Sequence, residues 1–121
     1  IAAQNPILNQ VNIMYVLHFY AGTHKESLRN RAEAALNAGL PIFVSECAGM
    51  EASGDGPLDQ ASWNSWLTWM ENKKVSWIAW SIADKDETCS MLLPNASSTG
   101  NWTPQQMKPW GQQIRETLRG K

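Results

Sequence analysis

The chain has 121 residues, a formal net charge of −1, and 43% hydrophobic against 17% charged residues. That length holds one small domain at most, and the composition is that of an ordinary globular protein and not a disordered one. The near-neutral charge gives no electrostatic reason to expect nucleic acid or an anionic membrane surface as a partner, and no apolar run approaches the roughly 20 residues a membrane span needs.

Residues 12–20, NIMYVLHFY, are β-branched and aromatic, almost continuously apolar and too short for a helix, and they predict a strand. In THKESLRNRAEAALNAG (23–39), Thr23 with Glu26 predicts a capping box, and Leu28, Ala32, Ala35 and Leu36 recur on one helical face. Gly39 supplies the stop, with Pro41 just beyond. PIFVSE (41–46) reads as the second strand. After a loop rich in Gly and Asp, SWNSWLTWMENKK (62–74) places Trp63, Trp66, Leu67 and Met70 at helical spacing. VSWIAWSIAD (75–84) predicts a third strand. A turn-rich loop over 87–104 leads to KPWGQQIRETLRGK, where Pro109 fits a first helical turn and Trp110, Ile114 and Leu118 share a face.

The strands start about 30 residues apart, the size of one βα unit. Strands apolar on both faces, alternating with amphipathic helices, imply an α/β fold: three parallel strands covered by three helices. Seven Trp residues are unusual for this length. Trp is a large apolar plate with one N–H donor, suited to cores and to the apolar faces of sugar rings, so core packing is expected for roughly five of them.

In parallel α/β architectures ligands meet the carboxyl ends of the strands. The first strand ends in His18-Phe19-Tyr20, with His24 shortly after. The second ends in Glu46, and the third in Trp80 followed by Asp84, Lys85 and Glu87. Each of these residues alone has an ordinary structural explanation; their convergence on one rim points to a site. Cys47 beside Glu46 raises a cysteine nucleophile as an alternative to a carboxylate, with His18 on the neighbouring strand as its base. Cys47 leaves the strand on the side opposite to Glu46, however, and Tyr20, Glu46, Trp80 and Lys85 together suit sugar chemistry better. Metal ligation by His18, His24 and Cys47 has no supporting spacing, and no cofactor is expected.

The segments NIMYVLHFYAGTH, PIFVSE, WSIADKDE and GNWT, taken in order, resemble the last three βα units of the cellulases of glycoside hydrolase family five, bacterial-type endo-β-1,4-glucanases on a TIM (β/α)₈ barrel. The resemblance covers the chain from residue 1 to its end. It implies that residues 1–121 are the C-terminal portion, about strands six to eight, of one catalytic barrel in a secreted protein acting on β-1,4-glucan or cello-oligosaccharide.

By resemblance Glu46 is the nucleophile of a retaining hydrolysis, Tyr20 holds its carboxylate, and His18 lines the cleavage point. Trp80 is the platform for the adjacent sugar, and Lys85 with Glu87 binds the next one. His24 falls in the same motif and is placed with the substrate-binding residues, a structural role being the alternative. Cys47 stands where many relatives have an aromatic residue. A Cys47–Cys89 disulfide between the two loops is one expectation for a secreted chain, two free thiols the other.

The resemblance also implies an acid/base glutamate in an Asn-Glu-Pro motif, and no Asn-Glu dipeptide occurs in the sequence. The expectation is therefore an inactive isolated chain that self-associates or pairs with a missing N-terminal barrel segment. The alternatives are a noncatalytic Trp-rich carbohydrate-binding module, most of which are β-sandwiches, and a small flavodoxin-like domain.

Overall fold

The structure, a computed structural model, describes residues 2–120. Strands β1 (Tyr15–Tyr20), β2 (Ile42–Ala48) and β3 (Trp77–Ala79) form one parallel sheet in the order β1-β2-β3. Helices α1 (Glu26–Asn37) and α2 (Gln60–Lys73) make the two crossovers, and α3 (Pro109–Arg119) follows a 3₁₀ turn at Pro104–Gln106. This is the predicted alternation of strand and helix, and it is not a β-sandwich.

Three local expectations change. The third strand is confined to Trp77–Ala79 instead of running to Asp84. Trp80 still donates its N–H to Cys47 O at 2.8 Å, but beyond it the backbone pairs with its own downstream loop. Ser81 N–H bonds Cys89 O, Met91 N–H bonds Ser81 O, and Leu92 N–H bonds Ala83 O, at 3.0, 3.1 and 2.9 Å. Thr23 does not cap α1, because the helix begins at Glu26 with Lys25 as its N-cap. The Thr23 hydroxyl instead accepts the N–H of Ala52 at 2.9 Å, joining the loops that follow β1 and β2. Leu118 shares a face with Trp110 and Ile114, but only those two are buried; the last turn of α3 leaves the core and exposes Leu118.

Helix α2 starts on a cap the sequence reading passed over. Asp59 accepts the N–H of Ser62 at 2.9 Å, satisfying one of the free donors of the first turn. Lys25 reaches across to the same carboxylate at 2.5 Å and to Ala21 O at 2.6 Å. The Lys25 ammonium first, and the Ser62 N–H second, hold the Asp59 carboxyl below the usual carboxylate range.

The core lies between the sheet and the helices and is built on tryptophan. Phe19 of β1 stacks on Trp66 of α2 with centroids 3.8 Å apart and planes 9° from parallel. Trp63 meets Trp77 of β3 and Trp110 of α3 edge-on at 5.7 and 4.9 Å. Such pairs add about 0.5–1.5 kcal/mol each beyond the area they bury. That offsets the Trp63 indole N–H, which finds no hydrogen-bond partner among the described residues, a cost of about 1–3 kcal/mol. Trp63, Trp66, Trp69 and Trp110 are buried and Trp77 and Trp102 pack against them, so the core takes six tryptophans, one more than expected. Trp80 is the one left out.

The opposite face of the sheet carries Val16, His18, Ile78 and Trp80, all exposed, with Met14 and Ile82 exposed beside them. Among the described residues no helix is long and apolar enough to cross a membrane.

Gly111 gives a test of how α3 is docked. A Cβ there would stand 2.3 Å from Met91 O, a backbone atom that cannot move aside cheaply. Alanine for glycine inside a helix ordinarily stabilises by about 0.5–1 kcal/mol. Gly111→Ala is expected to reverse that sign and destabilise by about 1–3 kcal/mol, read from the midpoint of urea unfolding.

Candidate active site

The site begins with a shift in the β1–β2 ladder. Leu17 pairs with Val44, but His18 pairs with Glu46, so Ser45 is an extra residue on β2. Two successive residues, Ser45 and Glu46, thereby lie on the open side between the buried Val44 and Cys47. Register then sets the carboxylate against the two side chains of β1 that share that side.

Tyr20 donates its phenolic O–H to Glu46 Oε1 at 2.7 Å, and His18 Nδ1 lies 3.6 Å from Glu46 Oε2. The other imidazole nitrogen, Nε2, is 2.9 Å from the Ser45 hydroxyl. Burial, and then the hydrogen bond to and charge of Glu46, raise the phenol of Tyr20 well above its ordinary value. It therefore remains a donor throughout the physiological range. The Glu46 side chain keeps 23% of its surface accessible, enough to meet a ligand from the open face.

Trp80 leaves the end of β3 on the same face with 42% of its surface exposed. Its backbone is held from behind, since the Trp110 indole N–H donates to Trp80 O at 2.7 Å, and the Trp80–Ser81 peptide is cis. Further along, Lys85 and Glu87 form an ion pair at 4.0 Å. The N–H of Cys89, bonded to Gly54 O at 3.0 Å, ties this segment to the loop after β2.

The structure thus gathers His18, Tyr20 and Glu46 into one group, with Tyr20 hydrogen-bonded to the carboxylate and His18 3.6 Å from it, and sets Trp80, Lys85 and Glu87 on its rim. His24 is engaged elsewhere: its Nδ1 accepts the backbone N–H of Tyr20 at 2.9 Å, and its carbonyl accepts the Trp66 indole at 2.8 Å. Among the described residues no group of three His, Cys, Asp or Glu is arranged to hold a metal ion.

A polar group of this build at the carboxyl ends of parallel strands can be compared with known proteins. A family model for cellulases, glycosyl hydrolase family 5, matches residues 1–86. The chain belongs to glycoside hydrolase family 5. It is 44% identical over 120 residues to Endoglucanase A of Evansella cellulosilytica, covering 98% of this chain and 24% of that protein. It is 43% identical over 118 residues to Endoglucanase 5 of Pectobacterium carotovorum subsp. carotovorum, covering 98% and 23%. The chain therefore spans about a quarter of the length of these relatives.

Among solved structures, the catalytic domain of Thermobifida fusca endoglucanase Cel5A in complex with cellotetraose superposes with a TM-score of 0.86 at 31% identity. The match covers 98% of this chain and 38% of that one. Three parallel strands with their helices, matched at this coverage, make this family 5 chain part of a TIM (β/α)₈ barrel.

Of the two states expected for the cysteines of this family 5 chain, the disulfide is not formed. Both thiols are free and buried, and each is occupied elsewhere. Cys47 turns into the core and its thiol donates to Ile78 O at 3.4 Å, while Cys89 stands beside the Glu87 carboxylate. Burial first, then the charge of Glu46, pushes the Cys47 thiol far up, whereas a nucleophilic cysteine needs the opposite shift. His18 serves Ser45 and Glu46, so Cys47 has no base. Ser45 itself went unnoticed in the sequence, where nothing marks it as the extra residue of a bulge.

With Cys89 also pushed up to about 11 by burial and by Glu87, neither thiol is reactive in the fold. Ellman's reagent at pH 7.5 is expected to find almost no thiol in the native chain, and both thiols after denaturation in urea without reductant.

Proposed function

We propose that this chain forms the last three βα units of a retaining endo-β-1,4-glucanase, with Glu46 as the nucleophile. The observation that carries the reading is the carboxylate of Glu46 on the open face, one oxygen held by Tyr20 at 2.7 Å and the other 3.6 Å from His18. A carboxylate fixed in this way presents its second oxygen to an anomeric carbon in a set direction, which is what covalent glycoside cleavage requires. Attack forms the C1–O bond to Glu46 as the glycosidic C–O bond breaks. A general acid protonates the departing sugar oxygen, and water then releases the glycosyl group with net retention.

The general acid is proposed to come from the stretch of the relatives that this chain does not span. Trp80 offers its exposed ring to the sugar next to the scissile bond, and Lys85 with Glu87 hydrogen-bonds the sugar beyond. The cellotetraose bound by the Thermobifida fusca enzyme supports a cello-oligosaccharide as the ligand, and the endoglucanase relatives support a β-1,4-glucan as the polymer. In the same reading the remaining barrel covers the apolar residues of the open face, and the protein acts outside the cell.

The test is hydrolysis of carboxymethyl-cellulose and cellotetraose by the full-length protein that carries this segment. Glu46→Gln is expected to lower kcat by on the order of a thousand-fold or more. Tyr20→Phe removes one hydrogen bond to a charged group and is expected to lower kcat about tenfold to a hundredfold. Proton NMR should show the β-anomer appearing first. The isolated 121-residue chain should be silent and should elute as a self-associated species. Activity surviving intact in Glu46→Gln, or an α-anomer first product, would overturn the reading.

A further inference from the structure

Lys85 and Glu87 stand on a largely exposed segment, residues 85–88, that packing holds only at its end, where Cys89 enters the core. A cavity of about 410 Å³ lies against it, lined by Asp55, Leu58, Glu87, Thr88, Lys108 and Trp110 among others. With open space on that side, the position of the segment depends on its backbone hydrogen bonds.

Besides its own local turns, the segment is bonded from two distant parts of the chain. From the start of α3, Lys108 Nζ donates to the carbonyls of Lys85 and Glu87 at 2.5 and 3.1 Å. From the loop after β2, Asp55 Oδ1 accepts the N–H of Thr88 at 3.1 Å. The backbone beside Asp55 adds to this grip. Gly54 O accepts the N–H of Cys89 at 3.0 Å, and Gly56 O accepts the Thr88 hydroxyl at 2.8 Å. Gly54 can approach this closely only without a side chain, since a Cβ there would stand 3.1 Å from Cys89 Sγ, and its φ is +86°. The ammonium and the carboxylate thus grip two carbonyls and one N–H of a single strip of backbone.

We propose that Asp55 and Lys108 are positioning residues that clamp residues 85–88 and so set the Lys85–Glu87 pair at the distance from Glu46 that the distal sugar requires. The inference rests on the glucanase reading above. Neither residue touches the sugar; both act through the Lys85–Glu87 pair. Their loss lets the pair drift over the cavity, weakening binding of the distal sugar without disturbing the His18–Tyr20–Glu46 group.

The experiment uses the full-length protein and steady-state hydrolysis of cellotetraose. Lys108→Met keeps the aliphatic stem and removes the donor, and Asp55→Ala removes the acceptor. Each is expected to raise KM about tenfold while kcat stays within about twofold. Asp55→Asn retains an oxygen for the Thr88 N–H and is expected to restore the original KM. The decisive comparison is made in a Lys85→Ala/Glu87→Ala background, where Lys108→Met and Asp55→Ala should have no further effect on KM, because both groups they position are gone.

An unchanged KM in both variants overturns the clamp, as does the same KM increase with and without the Lys85–Glu87 pair, which would mark a general loosening of the fold. If Asp55→Ala does not fold, Lys108→Met and its combination with Lys85→Ala/Glu87→Ala carry the same comparison. A parent protein that cleaves no β-1,4-glucan overturns the glucanase reading and the clamp with it. A parent that cleaves, with variants that do not follow the pattern, overturns the clamp alone.

Discussion

One extra residue in a strand sets the chemistry of this face. Counting in twos from the buried Val44, a regular strand would turn Ser45 outward, Glu46 into the tryptophan core, and Cys47 back to the open side. An unpaired carboxylate in that core would be strongly unfavourable, and the open face would carry a thiol. The insertion at Ser45 reverses both outcomes: Glu46 faces the open side with its oxygens on Tyr20 and His18, and Cys47 becomes a buried, unreactive thiol. Ser45 is also used directly, since its hydroxyl meets the far nitrogen of His18 and restrains the ring that faces the carboxylate.

A bulge bends a strand, so the residues opposite must be held against it. That restraint comes from the layer below. Phe19, between His18 and Tyr20, stacks on Trp66, and the Trp66 indole donates to His24 O while His24 Nδ1 takes the N–H of Tyr20. An unbroken set of contacts therefore runs from the middle of α2 to the backbone of the residue that holds Glu46. Trp63 does the same for the other side, through Trp110, whose indole N–H fixes the carbonyl of Trp80. The abundance of tryptophan thus serves packing first: six rings lie in or against the core, three of them reach the site, and Trp80 is exposed on it.

Much of this was legible in the sequence, for definite reasons. The three strands and three helices follow from hydrophobic period, and the rim residues from their place at strand ends. What could not be read was anything set by contact between distant segments. Thr23 has the right neighbour for a capping box, but Ala52 competes for its hydroxyl. VSWIAWSIAD looks like one strand because its composition is uniform, yet its second half pairs with a loop ten residues on. His24 belongs to a motif rich in functional residues, and its ring is used by the backbone next door. Asp55, Asp59 and Lys108 are ordinary surface charges in the sequence; each becomes specific only when folding supplies the backbone groups they hold.

The two faces of the sheet make different demands on the same strands. On β1, Leu17 and Phe19 are packed against helices while Val16 and His18 look the other way, and β3 divides in the same manner between Trp77 and Ile78. Apolar side chains and those of the candidate site therefore alternate along one exposed surface, with Val16 two residues from His18 and Ile78 two residues from Trp80. A surface of this kind cannot be covered for stability without also enclosing Glu46. In the glucanase reading, whatever buries Val16 and Ile78 brings its own side chains up to the carboxylate, so completing the core and completing the pair of carboxyl groups are one event. The Tyr20 hydroxyl makes that arrangement workable, because it keeps the Glu46 carboxylate oriented on the side of the structure that this chain builds alone.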